Sequence, residues 1–332
     1  MGVSGSVNQF ITFTDDKANN VQESEVRDGL LPAFLSFDMT APTMKGLDIA
    51  AHISISPSTN LDSYGATNSV GAGTMEQREV YFTVAGGFGQ ILAGKALGLY
   101  GAKNILTDQT LFGVGYGTTG NAATTLGGIG LGYDYASWRS QVKWTSVDMS
   151  GFKIALAVMD PSTGATTTNT KPTGSLVSGG TSSEDLRYEA ELSYAGSFDG
   201  GSYSAWLSGM TQDADNAGNN DQDAYSVGGT LKVAGFEAMA QYSDAESDAT
   251  EWSQYLVQAG YRFAGTTLVS AQYAELEDDN AVVDDTIEKY TVGVYHDVNA
   301  NLKLVAEYTA VEDDNKALYD TEIFSLGGFV FF

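Results

Sequence analysis

GLYGAKNILTDQTLFGVGYGTTGNAATTLGGIGLGYDYAS, residues Gly98–Ser137, is dominated by glycine, threonine, leucine and tyrosine. Its only charges are Lys103, Asp108 and Asp134. A stretch this long without strand alternation is either functional or disordered, and this one is too apolar for a solvated linker. The segments on either side of it read as strands only if it is one connection. We therefore read 98–137 as a loop that folds into the lumen of a large β-barrel and narrows it.

Outside this stretch the pattern has a period of two. In Leu47–Ile55, Leu47, Ile49, Ala51, Ile53 and Ile55 fall on one face and Asp48, Ala50, His52 and Ser54 on the other. Leu31–Met39 repeats the pattern, so both are strands with one apolar face. Sixteen such segments are expected: 3–14, 31–39, 47–55, 77–86, 89–97, 138–147, 151–159, 186–195, 201–211, 223–233, 236–244, 252–263, 266–275, 286–297, 302–311 and 320–332. Most are about 9–12 residues, the length a tilted strand needs to cross a bilayer. Their connections alternate. Short turns such as 41–46, 86–88, 148–150, 234–235 and 264–265 are separated by longer loops at 15–30, 56–76, 98–137, 160–185, 212–222, 245–251, 276–285 and 312–319. The expected fold is all-β, a transmembrane antiparallel barrel of about 16 strands. It forms a single domain over 1–332, with tight turns at one end and long loops at the other.

Composition agrees. The chain has 39 Gly and only 5 Pro, which favours strands joined by glycine turns. With no cysteine, neither disulfides nor thiolate metal sites can carry the fold. The net charge of −26 argues against nucleic acid as a partner. Most of the carboxylates lie in the long loops other than 98–137, where the only basic residues are Lys17, Arg27, Lys171 and Lys316. Charge gathered at one end suits a solvated rim.

Aromatic pairs such as Tyr255 and Phe263, Tyr188 and Tyr194, and Trp138 and Trp144 bracket the apolar faces. Eight residues of strand rise roughly 27 Å, or about 20 Å of height after tilt, which suits aromatic bands at two membrane interfaces. The faces opposite are polar: Arg187, Glu189, Glu191 and Ser193 on one strand, Arg139, Gln141, Lys143 and Thr145 on another. A water-filled lumen accounts for that regularity better than a sandwich core.

The ending Phe324-Ser-Leu-Gly-Gly-Phe-Val-Phe-Phe332 resembles the last strand of Gram-negative outer-membrane barrels. Arg139–Phe152, followed by KIALAVM, resembles the strand, turn and strand that follow the inward-folded loop of general diffusion porins. Gly94-Lys95 stands where that family commonly has Gly-Arg. The resemblance implies a homotrimer in the bacterial outer membrane, in contact with lipid and lipopolysaccharide. It also implies a pore for small hydrophilic solutes and ions, with no enzymatic activity and no cofactor. A substrate-specific channel for a sugar or organic acid is the alternative, with Tyr100, Tyr116 and Tyr133 as a candidate aromatic ladder. A surface structural protein or adhesin that uses the acidic outer loops, its pore plugged by loop 98–137, is another.

Asp108 and Asp134 are the expected acidic side of the constriction. Lys95, Arg139, Lys143 and Lys153 are the expected basic wall, weaker in arginine than the family norm. His52, Asp48 and Asp38 share the lumen side of neighbouring strands. The acidic rim is expected to concentrate cations at the mouth and give a cation preference. Asp213, Asp215, Asp221 and Asp223 alternate with amides in a way that could bind Ca2+ weakly. They lack the spacing and terminal glutamate of an EF-hand, which favours a solvated acidic loop. With two histidines, a hydrolase triad has little material to use.

Overall fold

The computed structural model describes residues 1–59, 75–117, 125–161, 186–213, 221–247, 250–280, 283–314 and 319–332. Its main sheet has 18 hydrogen-bonded segments. Val21–Arg27 and Phe34–Thr40 both pair with Gly2–Asp16 and together make one wall strand. Met75–Glu76 continues Val80–Gly86 along the strand Asp48–Pro57. Sixteen barrel strands remain. The first, Gly2–Asp16, pairs antiparallel with the last, Asp320–Phe331, from Ser6↔Phe331 to Asp16↔Thr321, and this closes the barrel.

The wall is uneven. Phe34–Thr40 and Val80–Gly86 have 7 residues each. Trp138–Thr145 and Phe152–Met159 have 8 each. From Arg187 onward the strands run to between 12 and 17 residues. The tall side extends further than the sequence pattern predicts. Most of the expected loops 245–251 and 276–285 are strand, within Phe236–Ser247, Thr250–Phe263, Thr267–Asn280 and Val283–Asn299. Tyrosine hydroxyls hold carboxylates at the base of these extensions. The Tyr273 hydroxyl lies 2.6 Å from Glu275 and 2.5 Å from Glu288, sharing its one hydrogen between them, and Tyr255 donates across strands to Glu275 at 2.9 Å.

The expected loop 15–30 is also corrected. A turn at 17–20 leads straight into Val21–Arg27, which pairs with Phe10–Asp16. The wall strand then breaks at 28–33. Pro32 lacks an N–H for the ladder there, and the chain bends into the lumen. Asn8 binds both edges of the bend: its amide donates to Leu31 O at 2.7 Å, and its oxygen accepts from Gly29 N at 2.8 Å. Leu30 N donates to Gly113 O at 2.8 Å, so this bend meets the long loop.

At the short-turn end, Ala234-Gly235 and Ala264-Gly265 each place two consecutive residues at positive φ. That conformation matches the twist of a tight hairpin and suits glycine in second position.

The outward face is apolar and bounded by aromatics. Leu192, Leu207 and Val227 form one cross-strand row, each about half exposed. Toward the turns lie Phe152 stacked on Tyr194 and Phe236 against Tyr261. Toward the loops lie Tyr255, Tyr273 and Tyr290. Two aromatic bands with an aliphatic zone between them are the outer surface of a membrane barrel. Leu207→Lys, midway between the bands, should cost about 2–4 kcal/mol. Ser204→Lys, on the lumen face of the same strand, should change stability by less than about 0.5 kcal/mol. Denaturant unfolding in lipid vesicles measures both, and equal costs would contradict this assignment of faces.

Candidate pore constriction

The loop begins where Gly98 leaves the wall and ends where Ser137 rejoins it, with Gly98 N donating to Ser137 O at 3.0 Å. Gly101, in the left-handed region, starts the short helix Ala102–Thr107. Asp108 ends it and caps the next turn, Gln109–Phe112, by accepting from Thr110 N at 2.9 Å and Thr110 Oγ1 at 2.7 Å. Farther on, Tyr116–Gly117 pairs with Thr125–Gly127. None of these pieces joins the barrel sheet. The segment is one inward loop, as its composition indicates.

Carboxylates on the tall wall hold the loop by its backbone. The Glu189 carboxylate accepts from Leu99 N at 2.6 Å and Tyr100 N at 2.9 Å. The Glu307 carboxylate accepts from Val114 N at 2.7 Å and Gly115 N at 2.9 Å. Bonds to an ionised acceptor are roughly twice as strong as neutral ones. Gly113 is required beside the second clamp, because a Cβ there would overlap the Glu307 carboxylate. Buried Lys289 donates to Gly127 O at 3.0 Å. Asn104 accepts from Trp206 Nε1 at 3.0 Å and donates to Ser226 Oγ at 2.8 Å.

Apolar packing completes the attachment. Tyr133, Ile105, Leu111 and Ile129 pack against Trp206, Met239 and Leu256 of the wall. Tyr100 and Leu131 pack against Leu276, Ile287 and Val311. Each large side chain buried this way contributes roughly 1.5–3 kcal/mol. The loop therefore fills the tall side of the lumen.

The predicted residues separate into three groups. Asp108 and Asp134 are buried, at 3% and 1% exposure, and do not face an opening. Asp108 also accepts from Tyr133 OH at 2.6 Å and Gln272 Nε2 at 2.7 Å. Asp134 accepts from Tyr100 OH, Trp252 Nε1 and Gln254 Nε2. Burial pushes its carboxyl up to about 6, against the pull of those hydrogen bonds. Both aspartates fasten the loop. Tyr100, Tyr116 and Tyr133 are buried with them and offer no aromatic ladder to a solute.

Lys95 is on the wrong face. It pairs directly with Val80 and Ser140, in the outward row that includes Phe82 and Val142, each at least half exposed. The lumen row of its strand holds Leu92 and Ala96, both buried. Apolar residues lie inside there, which inverts the signal that alternation relies on. Arg139 lies on the lumen row but is covered, at 3% exposure.

Lys143 and Lys153 do border open lumen. With Lys103 of the loop helix and Glu191 of the wall they line a cavity of about 280 Å³. Lys103 Nζ is 3.9 Å from Glu191, and Lys153 Nζ is 4.0 Å from Asp148 in the adjoining turn. Ala155 and Ala157 stand beside the two wall lysines on the lumen row and are buried against Leu99 at the start of the loop. His52 lies between Asp38, at 2.8 Å, and Glu79, at 3.2 Å. Asp48 shares its row. Deeper toward the turns, Lys232, Glu237, Arg262, Asp297 and Lys303 form a chain of alternating charge with contacts of 2.5–3.7 Å. Lys303 also lies 5.2 Å over the Phe112 ring of the loop.

Asp213, Asp221 and Asp223 are exposed, and Asp215 lies outside the described residues. Among the described residues no three carboxylate or imidazole groups converge as a metal site. Sequence reasoning placed Glu189 on the lumen face but missed its clamping role, gave Lys103 of the loop no role, and missed Glu307 and Lys289 altogether.

The model of the Gram-negative porin family matches residues 2–316. The chain belongs to the Gram-negative porin family. Membership places this porin in the bacterial outer membrane. Compared by sequence with curated proteins, it matches none. Solved porins share its fold. The anion-selective porin from Comamonas acidovorans is 14% identical with a TM-score of 0.69, over 100% of this chain and 99% of that one. OmpF of Salmonella typhi, in complex with daunomycin, is 13% identical with a TM-score of 0.69, over 100% and 97%. In-vitro folded OmpT of Vibrio cholerae, in a trimer form, is 14% identical with a TM-score of 0.63, over 100% and 98%.

Glu307→Ala should leave two buried N–H groups unpaired, at roughly 1–3 kcal/mol each, and free the middle of the loop. The expected outcome is a lower denaturant midpoint together with a larger and noisier single-channel conductance. An unchanged conductance would mean that the loop keeps its place without this clamp.

Proposed function

We propose that this porin is a passive diffusion channel for small hydrophilic solutes and ions, with no chemical step. The path runs between the loop helix Ala102–Thr107 and the short wall. The observation that supports it is the asymmetry of the lumen. On the tall side the loop is buried against the wall, whereas toward the short wall charged side chains stay in solvent. Lys153 and Asp38 have side-chain exposures of 51% and 54%, and Lys103 of 43%.

The same residues guide the reading of ion preference. The acidic outer loops favour cations at the mouth. The narrow region has Lys103, Lys143 and Lys153 against Glu191. Fixed charge acts most strongly where a path is narrowest, so we read the channel as favouring anions at its neck, against the cation preference that the outer loops alone suggest. One of the similar solved structures is an anion-selective porin.

Lys95 supports a homotrimer as the working assembly. An ammonium group facing lipid carries a cost that rises from near zero at the interface to roughly 2–4 kcal/mol at the midplane. A neighbouring subunit against the short strands would shield it, and OmpT of Vibrio cholerae is known in a trimer form.

Reconstitution in a planar bilayer under a potassium chloride gradient tests the reading. Conductance in steps of three with a reversal potential of anionic sign is expected. Lys143→Glu together with Lys153→Glu should move the reversal potential to cationic sign. Silence from folded protein would mean that the loop closes the pore. A reversal potential unmoved by the double substitution would place selectivity at the rim.

A further inference from the structure

Resting on that reading, we propose that the cavity beside the loop helix is a binding site for organic anions that have an apolar body, such as aromatic or short-chain aliphatic carboxylates. Its walls differ in chemistry. One wall is cationic: Lys143 and Lys153 come from adjacent strands and Lys103 from the helix, with Glu191 as the acidic residue lining the cavity. Glu191 is 9% exposed and lies nearest Lys103, which leaves Lys143 with no carboxylate within 4.0 Å among the described residues.

The other wall is a ledge of Leu97, Leu99, Ala102 and Leu106. Leu106 is 59% exposed, although its helix neighbours Asn104 and Ile105 are buried. Other large apolar side chains of the loop, such as Ile105 and Leu111, are buried against the tall wall. A leucine left in the water path, across from two lysines, is poorly used by an inorganic ion and well used by the hydrocarbon part of a carboxylate. The cavity, about 280 Å³, falls just below the range of about 300–1,000 Å³ typical of drug-sized ligands, which suits a smaller molecule.

The mode of binding follows. The carboxylate would lie between Lys143 and Lys153, and the apolar body would cover the exposed Leu106. Lysine is suited to this role because its ammonium is a mobile point charge that does not demand a fixed bidentate geometry. Affinity would be weak, as passage requires release.

Two measurements test the site separately from the channel. Saturation-transfer NMR on the folded protein in detergent measures binding of benzoate and of acetate without any current. Benzoate should bind in the millimolar range and at least fivefold more tightly than acetate. Leu106→Ser should weaken benzoate about fivefold and leave acetate unchanged. Lys143→Gln together with Lys153→Gln should weaken both, and Glu191→Gln should strengthen both. Benzoate added to a conducting bilayer should then reduce potassium chloride current at the same concentrations.

Equal affinity for benzoate and acetate, or no response to either leucine or lysine substitution, overturns the proposal while a conducting channel still stands. Lysine- and leucine-dependent benzoate binding by a protein that conducts no current upholds the site and removes the diffusion reading.

Discussion

Two carboxylates on the tall wall, Glu189 and Glu307, each accept two successive backbone N–H groups from the loop. The rest of the pore depends on this contact. A glycine-rich loop has high conformational entropy when free, and side-chain packing alone would let it slide along a smooth wall. Successive N–H groups converging on one anion fix both the position and the direction of the chain. With the loop anchored at Leu99–Tyr100 and again at Val114–Gly115, the helix between them has little freedom. Its lysine and its exposed leucine are held toward the opposite side.

Anchoring also explains the arrangement of the interior. A pore wall facing water should be polar throughout, yet this one has Leu256, Leu276, Ile287 and Val311 on its lumen rows. They are apolar because the loop covers them. The lumen has a packed half and a wet half, and Asp108 and Asp134 belong to the packed half. Charged residues in a loop are easily read as pore lining. Here the surrounding tyrosines, glutamines and tryptophan make them internal fasteners.

The architecture was legible in the sequence for a physical reason. Alternation in the wall strands, short turns and clustered loop charge arise from the bilayer, which acts on every strand in the same way. That was enough to place Arg187, Glu189, Glu191, Arg139 and Lys143 on the lumen side. Lys95 was misplaced because its strand has apolar residues on both faces, lipid-side and loop-side, so alternation carried no information about which was which. Val21–Arg27 was missed because that strand stands above the apolar zone, where nothing requires an apolar face. The clamps were invisible because a glutamate bound to backbone N–H groups leaves no mark on the sequence of the loop it holds.

The division of the lumen affects how such a protein can diverge. Most residues that hold the loop are distinct from those that border the water path, although Glu189 and Glu191 stand two residues apart on one strand. Lys143 and Lys153 can be exchanged for other side chains while Glu189, Glu307 and the apolar clusters are left alone. Solute preference and structural integrity are thus inherited as separable traits, and the permeability of the barrel can drift within one unchanged frame.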